Sequence, residues 1–200
     1  DTGAMGGKVS HEFMAMSDVG EGLIAYCKDC DFAATDEKSE VVYSIPSKEE
    51  ELKAVEKVLT PEVKTIDALV EFFGVKKHNF GKALVYKASG KPVVVVVPGD
   101  RELNETKLAN YLKVPGHELE MADEDMIKDI SGANKGFTGP VGLKKEVKVL
   151  IDKRVTTIKN LVVGANETDY HLINVNYGRD FVAEVVEDLL LVQEGDSCPK

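Results

Sequence analysis

Long apolar runs are absent from this 200-residue chain, whose longest tight one, Val93 to Val97, is only as long as a strand. A membrane-spanning helix needs roughly 20 apolar residues, so none is expected. Cysteine is scarce: Cys27, Cys30 and Cys198 make an odd count that argues against a disulfide framework. Positive charge is in deficit, with 25 Lys and Arg against 35 Asp and Glu and a formal net charge of −10. A domain that grips nucleic acid by its phosphates carries a basic face. Any nucleic acid is therefore expected to be held mainly by another domain, or touched at one end only. The chain starts Asp1-Thr2-Gly3 with neither an initiator Met nor a basic, apolar signal segment, so it reads as a piece of something longer, and secretion is not expected. G-x-S-x-G and H-E-x-x-H are also missing, which demotes covalent serine catalysis and metal-assisted hydrolysis.

What is present suffices for one full domain with a sizeable core. Residues 1–44 alternate glycines (Gly3, Gly6, Gly7, Gly20, Gly22) with short apolar pieces and read as a flank of strands and turns. Ser47-Lys-Glu-Glu50 is a capping box, followed at helical spacing by Leu52, Val55, Val58 and Leu59. After Thr60-Pro61, Thr65 caps a helix with Ile66, Leu69, Val70 and Phe73 on one face, ended by Gly74. Lys82 to Lys87 and Pro92 to Val97 form a hairpin whose second run, apolar throughout, is an interior strand. Asn104 caps a helix bearing Leu108, Tyr111 and Leu112; His117 to Met121 is strand-like; Asp123 starts a helix with Met126 and Ile130. Val147 to Ile151 and Leu172 to Val175 read as strands, Val155 to Val163 is ambiguous, and Val182, Val185, Val186 and Leu189 share a helical face. The class expected is α/β or α+β, a mixed sheet surrounded by helices.

Cys27-Lys-Asp-Cys30 has the spacing of half a zinc ribbon or of a redox pair, and Cys198-Pro-Lys200 looks like a second pair cut one residue short. A zinc ribbon in a longer parent is one expectation; a complete four-ligand site within these residues is not. The loop Gly132-Ala-Asn-Lys-Gly-Phe-Thr-Gly-Pro-Val-Gly142 lacks the spacing of a phosphate-binding loop. It is either a flexible connection or, through Gly136-Phe-Thr-Gly-Pro140, a turn aiming main-chain N–H groups at a carbonyl or ribose. His171 starts a strand behind Gly164-Ala-Asn166 and an acidic turn, Glu167-Thr-Asp169; Asp152 ends an apolar strand; Lys82 opens another. By composition alone a lone His is more often structural or solvated than catalytic, an Asp at a strand end often merely caps a turn, and Lys82 reads as a surface lysine.

Three stretches carry a resemblance. Asp1-Thr-Gly-Ala-Met-Gly-Gly7 with Ser10-His-Glu-Phe13 resembles the segment after the second signature motif of bacterial-type prolyl-tRNA synthetases. Gly164-Ala-Asn166 through His171-Leu-Ile-Asn-Val-Asn-Tyr-Gly-Arg-Asp180 resembles the end of their inserted domain, as does Glu187-Asp-Leu leading to Glu194-Gly-Asp196. The resemblance implies a YbaK-like editing deacylase at 45–180, between strips of class II catalytic core at 1–44 and 181–200. It implies hydrolysis of alanine mis-esterified to tRNA(Pro), by water, with no cofactor and no acyl-enzyme, the substrate's own ribose hydroxyl assisting. Lys82, Asp152 and His171 fall on the family's essential positions. Thr60, Ile66 and Leu69 would form the small pocket, and Gly132, Gly136 and Pro140 belong to its glycine loop. ATP and Mg²⁺ would serve only the whole synthetase, implied to be a cytoplasmic homodimer whose other parts hold the tRNA body. The competing reading is a non-catalytic insertion that positions tRNA or steadies the synthetase core; it turns on whether Lys82 faces the same cavity as the glycine loop. A zinc-centred interaction module on the three cysteines is a further alternative.

Overall fold

A computed structural model describes residues 15, 17, 19, 20, 22–43 and 50–200. The glycines at 3, 6 and 7, the Ser10 to Phe13 segment and the start of the Ser47 capping box lie outside them. Strands β1 (Ile24–Tyr26) and β2 (Ala33–Thr35) form a small antiparallel hairpin. Next come β3 (Glu56–Leu59), α1 (Ile66–Phe73), β4 (Gly81–Ala88), β5 (Lys91–Pro98) and α2 (Glu105–Leu112). The chain continues through β6 (Leu119–Met121), α3 (Glu124–Ser131), β7 (Lys148–Asp152), β8 (Leu161–Gly164), β9 (Tyr170–Val175) and β10 (Glu184–Val186).

A five-stranded mixed sheet of order β10-β7-β5-β4-β6 forms the centre, and a three-stranded antiparallel sheet, β3-β9-β8, packs beside it. The all-valine run of β5 explains the layering. Successive side chains of a strand point to opposite faces, so Val93, Val95 and Val97 join Leu108 of α2 and Leu150 in one core. Val94 and Val96 join Ile127 and Ile130 of α3 and Leu161 and Val163 of β8 in the other. Both faces are covered, as a continuous apolar run requires.

The helices start where their caps dictate. The side chains of Thr65, Asn104 and Asp123 accept hydrogen bonds from the main-chain N–H groups of Ala68, Lys107 and Met126, satisfying donors that a helix N-terminus leaves open. Gly74 closes α1 in the left-handed region at φ +66°.

Two expected helices are strands. Residues 56–59 pair with β9, and main-chain pairing continues at Thr60, whose N–H donates to the Asp169 carbonyl at 2.7 Å. Leu52, Val55 and Leu59 stay exposed, so the helical spacing there matched no buried face. Near the C-terminus β10 adds in parallel to the open edge of β7, burying Val186 and Leu189 and leaving Val182 and Val185 exposed. In both places a sheet edge in need of a partner overrode a weak local pattern. The ambiguous stretch splits into a 3₁₀ turn at Lys153–Thr157 and strand β8. Among the described residues no helix is long and apolar enough to cross a membrane.

Candidate active site

The junction of the two sheets opens into a cavity of about 710 Å³. Its walls come from the start of α1, the first half of β4, α3, the glycine loop, the end of β8 and His171 on β9. Ile66 and Leu69, one helical turn apart, supply apolar wall; Leu69 belongs to a satellite core with Phe80 and Val162. Lys82 lies on β4 opposite Val97, its side chain mostly sheltered, with Nζ 2.9 Å from Glu102 Oε1. Lys82 and Gly136 both line this cavity, although the Lys82 ammonium is turned to Glu102, which does not line it.

His171 is 2% exposed and shares a 2.7 Å hydrogen bond between Nδ1 and Thr60 Oγ1. Thr60 is fully buried and does not itself line the cavity; it stands behind His171. Phe137 packs against the imidazole with ring centroids 5.5 Å apart. Desolvation pushes the His171 pKa down to about 4, against an opposing pull from the Gly136 main chain. The acidic turn before it does not set its charge. Asp169 accepts from the Glu62 N–H and Glu167 pairs with Lys57, so both carboxylates are engaged elsewhere.

The glycine loop is held by its own framework. Gly139 and Gly164 are in such close contact that a Cβ on Gly139 would lie 1.9 Å from the Gly164 carbonyl oxygen. Asn166 locks this contact: its side chain accepts from the Gly139 N–H at 2.9 Å and donates to the carbonyls of Gly139 and Val141. Only Gly136, at φ +99°, brings a loop glycine to the cavity. Gly132 is instead the left-handed C-cap of α3, beside Lys144, and Pro140 is buried behind the loop.

Asp152 also falls outside the cavity lining. Its carboxylate is fully buried and occupied: Arg154 Nη1 donates to both oxygens at 3.1 and 3.0 Å, and the Leu189 N–H donates to Oδ2 at 2.9 Å. Arg154 continues to Asp188, which pairs with Lys107, so the group ties α2, β7 and the return segment together. A buried charge needs such partners, and here they leave no free lone pair for chemistry.

Two features were not anticipated. Thr138 lines the cavity, is 7% exposed, and its hydroxyl has no hydrogen-bond partner among the described residues. Lys64, Lys82, Lys128 and Lys135 all line the cavity, against one acid, Glu124. The acidic chain thus carries a local basic mouth, which a net charge conceals. Lys135 stands inside the loop and Lys128 one helical turn before it, so a scan for lysines in and beside the loop would have marked both.

The model of the aminoacyl-tRNA editing domain family matches residues 60–181. A proline–tRNA ligase of Finegoldia magna is 54% identical over the whole chain, which covers 34% of that protein. One of a Thermoanaerobacter species is 51% identical, again over the whole chain and 35% of its own length. The chain therefore spans about a third of the curated relatives it matches. A solved structure described as a putative trans-editing enzyme for prolyl-tRNA synthetase shares the fold at a TM-score of 0.59 and 16% identity, over 70% of this chain and 87% of that one.

Proposed function

Since this chain belongs to the aminoacyl-tRNA editing domain family, we propose that it hydrolyses the ester of alanine mis-attached to tRNA(Pro), as the editing part of a proline–tRNA ligase. The observation that carries this reading is the convergence of Lys82, Gly136 and His171 on one cavity with an apolar wall. The need is physical. A pocket that admits proline cannot exclude the smaller alanine, and a missing methylene discriminates by only ~10–200-fold. A second site that accepts alanine and rejects proline supplies the remainder. Ile66 and Leu69 bound that subsite.

The lysine-lined mouth suits the phosphates of a tRNA terminus, while the acidic remainder of the surface leaves the tRNA body to other parts of a longer protein. Phe137 and Gly139 already donate their N–H groups to Asn134 and Asn166. Those of Gly136 and Thr138 are left to meet the ester carbonyl, where a preorganised donor stabilises the developing oxyanion. Lys82 orients the substrate by charge and hydrogen bonding. His171, neutral at physiological pH because its pKa is about 4, acts as a hydrogen-bonding wall held by Thr60, not as a cation. Water attacks the ester carbon, and the ribose oxygen leaves with a proton. Asp152 contributes by fixing β7 and the return strand. In the longer ligase, read as a cytoplasmic homodimer, ATP and Mg²⁺ serve aminoacylation and have no part in this step.

The test is deacylation of alanyl-tRNA(Pro) and prolyl-tRNA(Pro) by the chain and its Lys82→Ala variant. Alanine release, with proline spared and the variant slowed ~100-fold or more, is expected. Equal loss of both amino acids would reject the size sieve. Should the folded chain be inactive, the same substitution in a full-length ligase decides: unchanged clearance of alanyl-tRNA(Pro) there rejects the reading.

A further inference from the structure

Outside the cavity lining, three side chains that deacylation does not use come together. Cys27 and Cys30 occupy the turn of the β1–β2 hairpin, and Cys198 reaches them from the return segment, their three Sγ atoms all within 4.8 Å of one another. Cys30 Sγ and Cys198 Sγ stand 3.6 Å apart, across a sequence separation of 168 residues. Two thiolates bound to one tetrahedral Zn²⁺ at ~2.3 Å each are separated by ~3.8 Å, so the spacing matches a shared metal.

The surroundings are built to hold it. The Asp29 N–H donates to Cys27 Sγ at 3.4 Å, and the Cys27 N–H closes the turn onto the Phe32 carbonyl at 3.0 Å. The return segment is fixed by a main-chain bridge between Val42 and Ser197 and an ion pair of 2.8 Å between Lys200 and Asp31. Cys30 is exposed and the other two are half-buried, which gives an ion a path in.

We propose that Cys27, Cys30 and Cys198 bind one thiophilic divalent cation of the Zn²⁺ class as three thiolates, the fourth corner of the tetrahedron being open to a further donor. Soft sulfur donors select such an ion over Mg²⁺ or Ca²⁺, and each thiol releases its proton as it binds. The ion clamps the two strips that lead into and out of the editing domain. Because it closes a long loop and binds only the folded chain, it stabilises that state.

The experiment uses the reduced 200-residue chain without affinity histidines, stripped with a chelator and titrated with Co²⁺. One equivalent should bind with thiolate-to-cobalt charge-transfer bands and intense tetrahedral d–d absorption, both lost when Zn²⁺ displaces it. The Cys30→Ser and Cys198→Ser variants should each lose the bands and the rise in melting temperature that Zn²⁺ gives the parent. X-ray absorption of the zinc form should show three sulfurs at ~2.3 Å, and it decides alone if a serine variant fails to fold. A folded, reduced chain that gives no charge-transfer band overturns the proposal. So does a nitrogen and oxygen shell, or metal retained in the serine variants. None of these readouts depends on deacylation, so the two proposals fail separately.

Discussion

Asp152 and His171 are both buried polar residues at the ends of strands, yet they sit in opposite electrostatic situations. Asp152 has an arginine on both oxygens and a main-chain N–H besides, within a network that reaches Asp188 and Lys107. His171 has one side-chain partner, an aromatic neighbour and an open cavity. A buried ion that is fully paired holds strands in place, whereas a desolvated group that faces empty space is available to a ligand. Burial alone does not separate structural from functional polar residues. The count of satisfied partners does.

The sharpest way to break this comparison is to remove Asp152. Asp152→Ala leaves the Arg154 guanidinium buried without its main partner, and a loss of ~3–5 kcal/mol is expected in urea denaturation. A fully stable variant that has lost deacylation would instead give Asp152 the chemical role. Acidification probes the other side. The unfolded His171 binds its proton near pH 6.5 and the folded one only near pH 4, so folding stability from this group is complete above 6.5 and lost as pH falls toward 4. The drop from 6.5 to about 4 corresponds to ~3 kcal/mol, read as the difference between the pH–stability curves of the parent and His171→Asn. A His171 ring that titrates near 6.5 by NMR would remove the contrast.

Smaller effects refine it. Thr60→Val leaves the Nδ1 of His171 without its partner and should cost ~1–3 kcal/mol in thermal or urea melts, the penalty for one unsatisfied buried group. Thr138→Val should change stability by less than ~1 kcal/mol, because its hydroxyl already lacks a partner. Deacylation of alanyl-tRNA(Pro) by that variant should nonetheless fall; stability and activity that move together would reduce Thr138 to packing.

Much of the site's neighbourhood was legible in the sequence. Lys82 after a glycine, the Gly-x-x-x-Pro turn at Gly136 and His171 behind Gly164-Ala-Asn166 all lie on the cavity or its frame. Gly132, Pro140 and Asp152 do not line it, because nearness along the chain says nothing about which side of a strand or loop faces a cavity. The roles of Gly139, Gly164 and Asn166 were hidden for the same reason: their contact joins two loops 25 to 27 residues apart.

By itself, the sequence determined what short-range forces decide. Thr65, Asn104 and Asp123 started helices through bonds three residues long, Gly74 ended one, and the valines of β5 required two covered faces. Tertiary structure alone decided that 56–59 and 184–186 are strands, that Asp152 faces Arg154 while His171 faces a cavity, and that Cys198 meets Cys27 and Cys30. Caps and alternation are complete within a few residues. Sheet pairing and burial are set by a partner far along the chain, and no local pattern records which partner that will be.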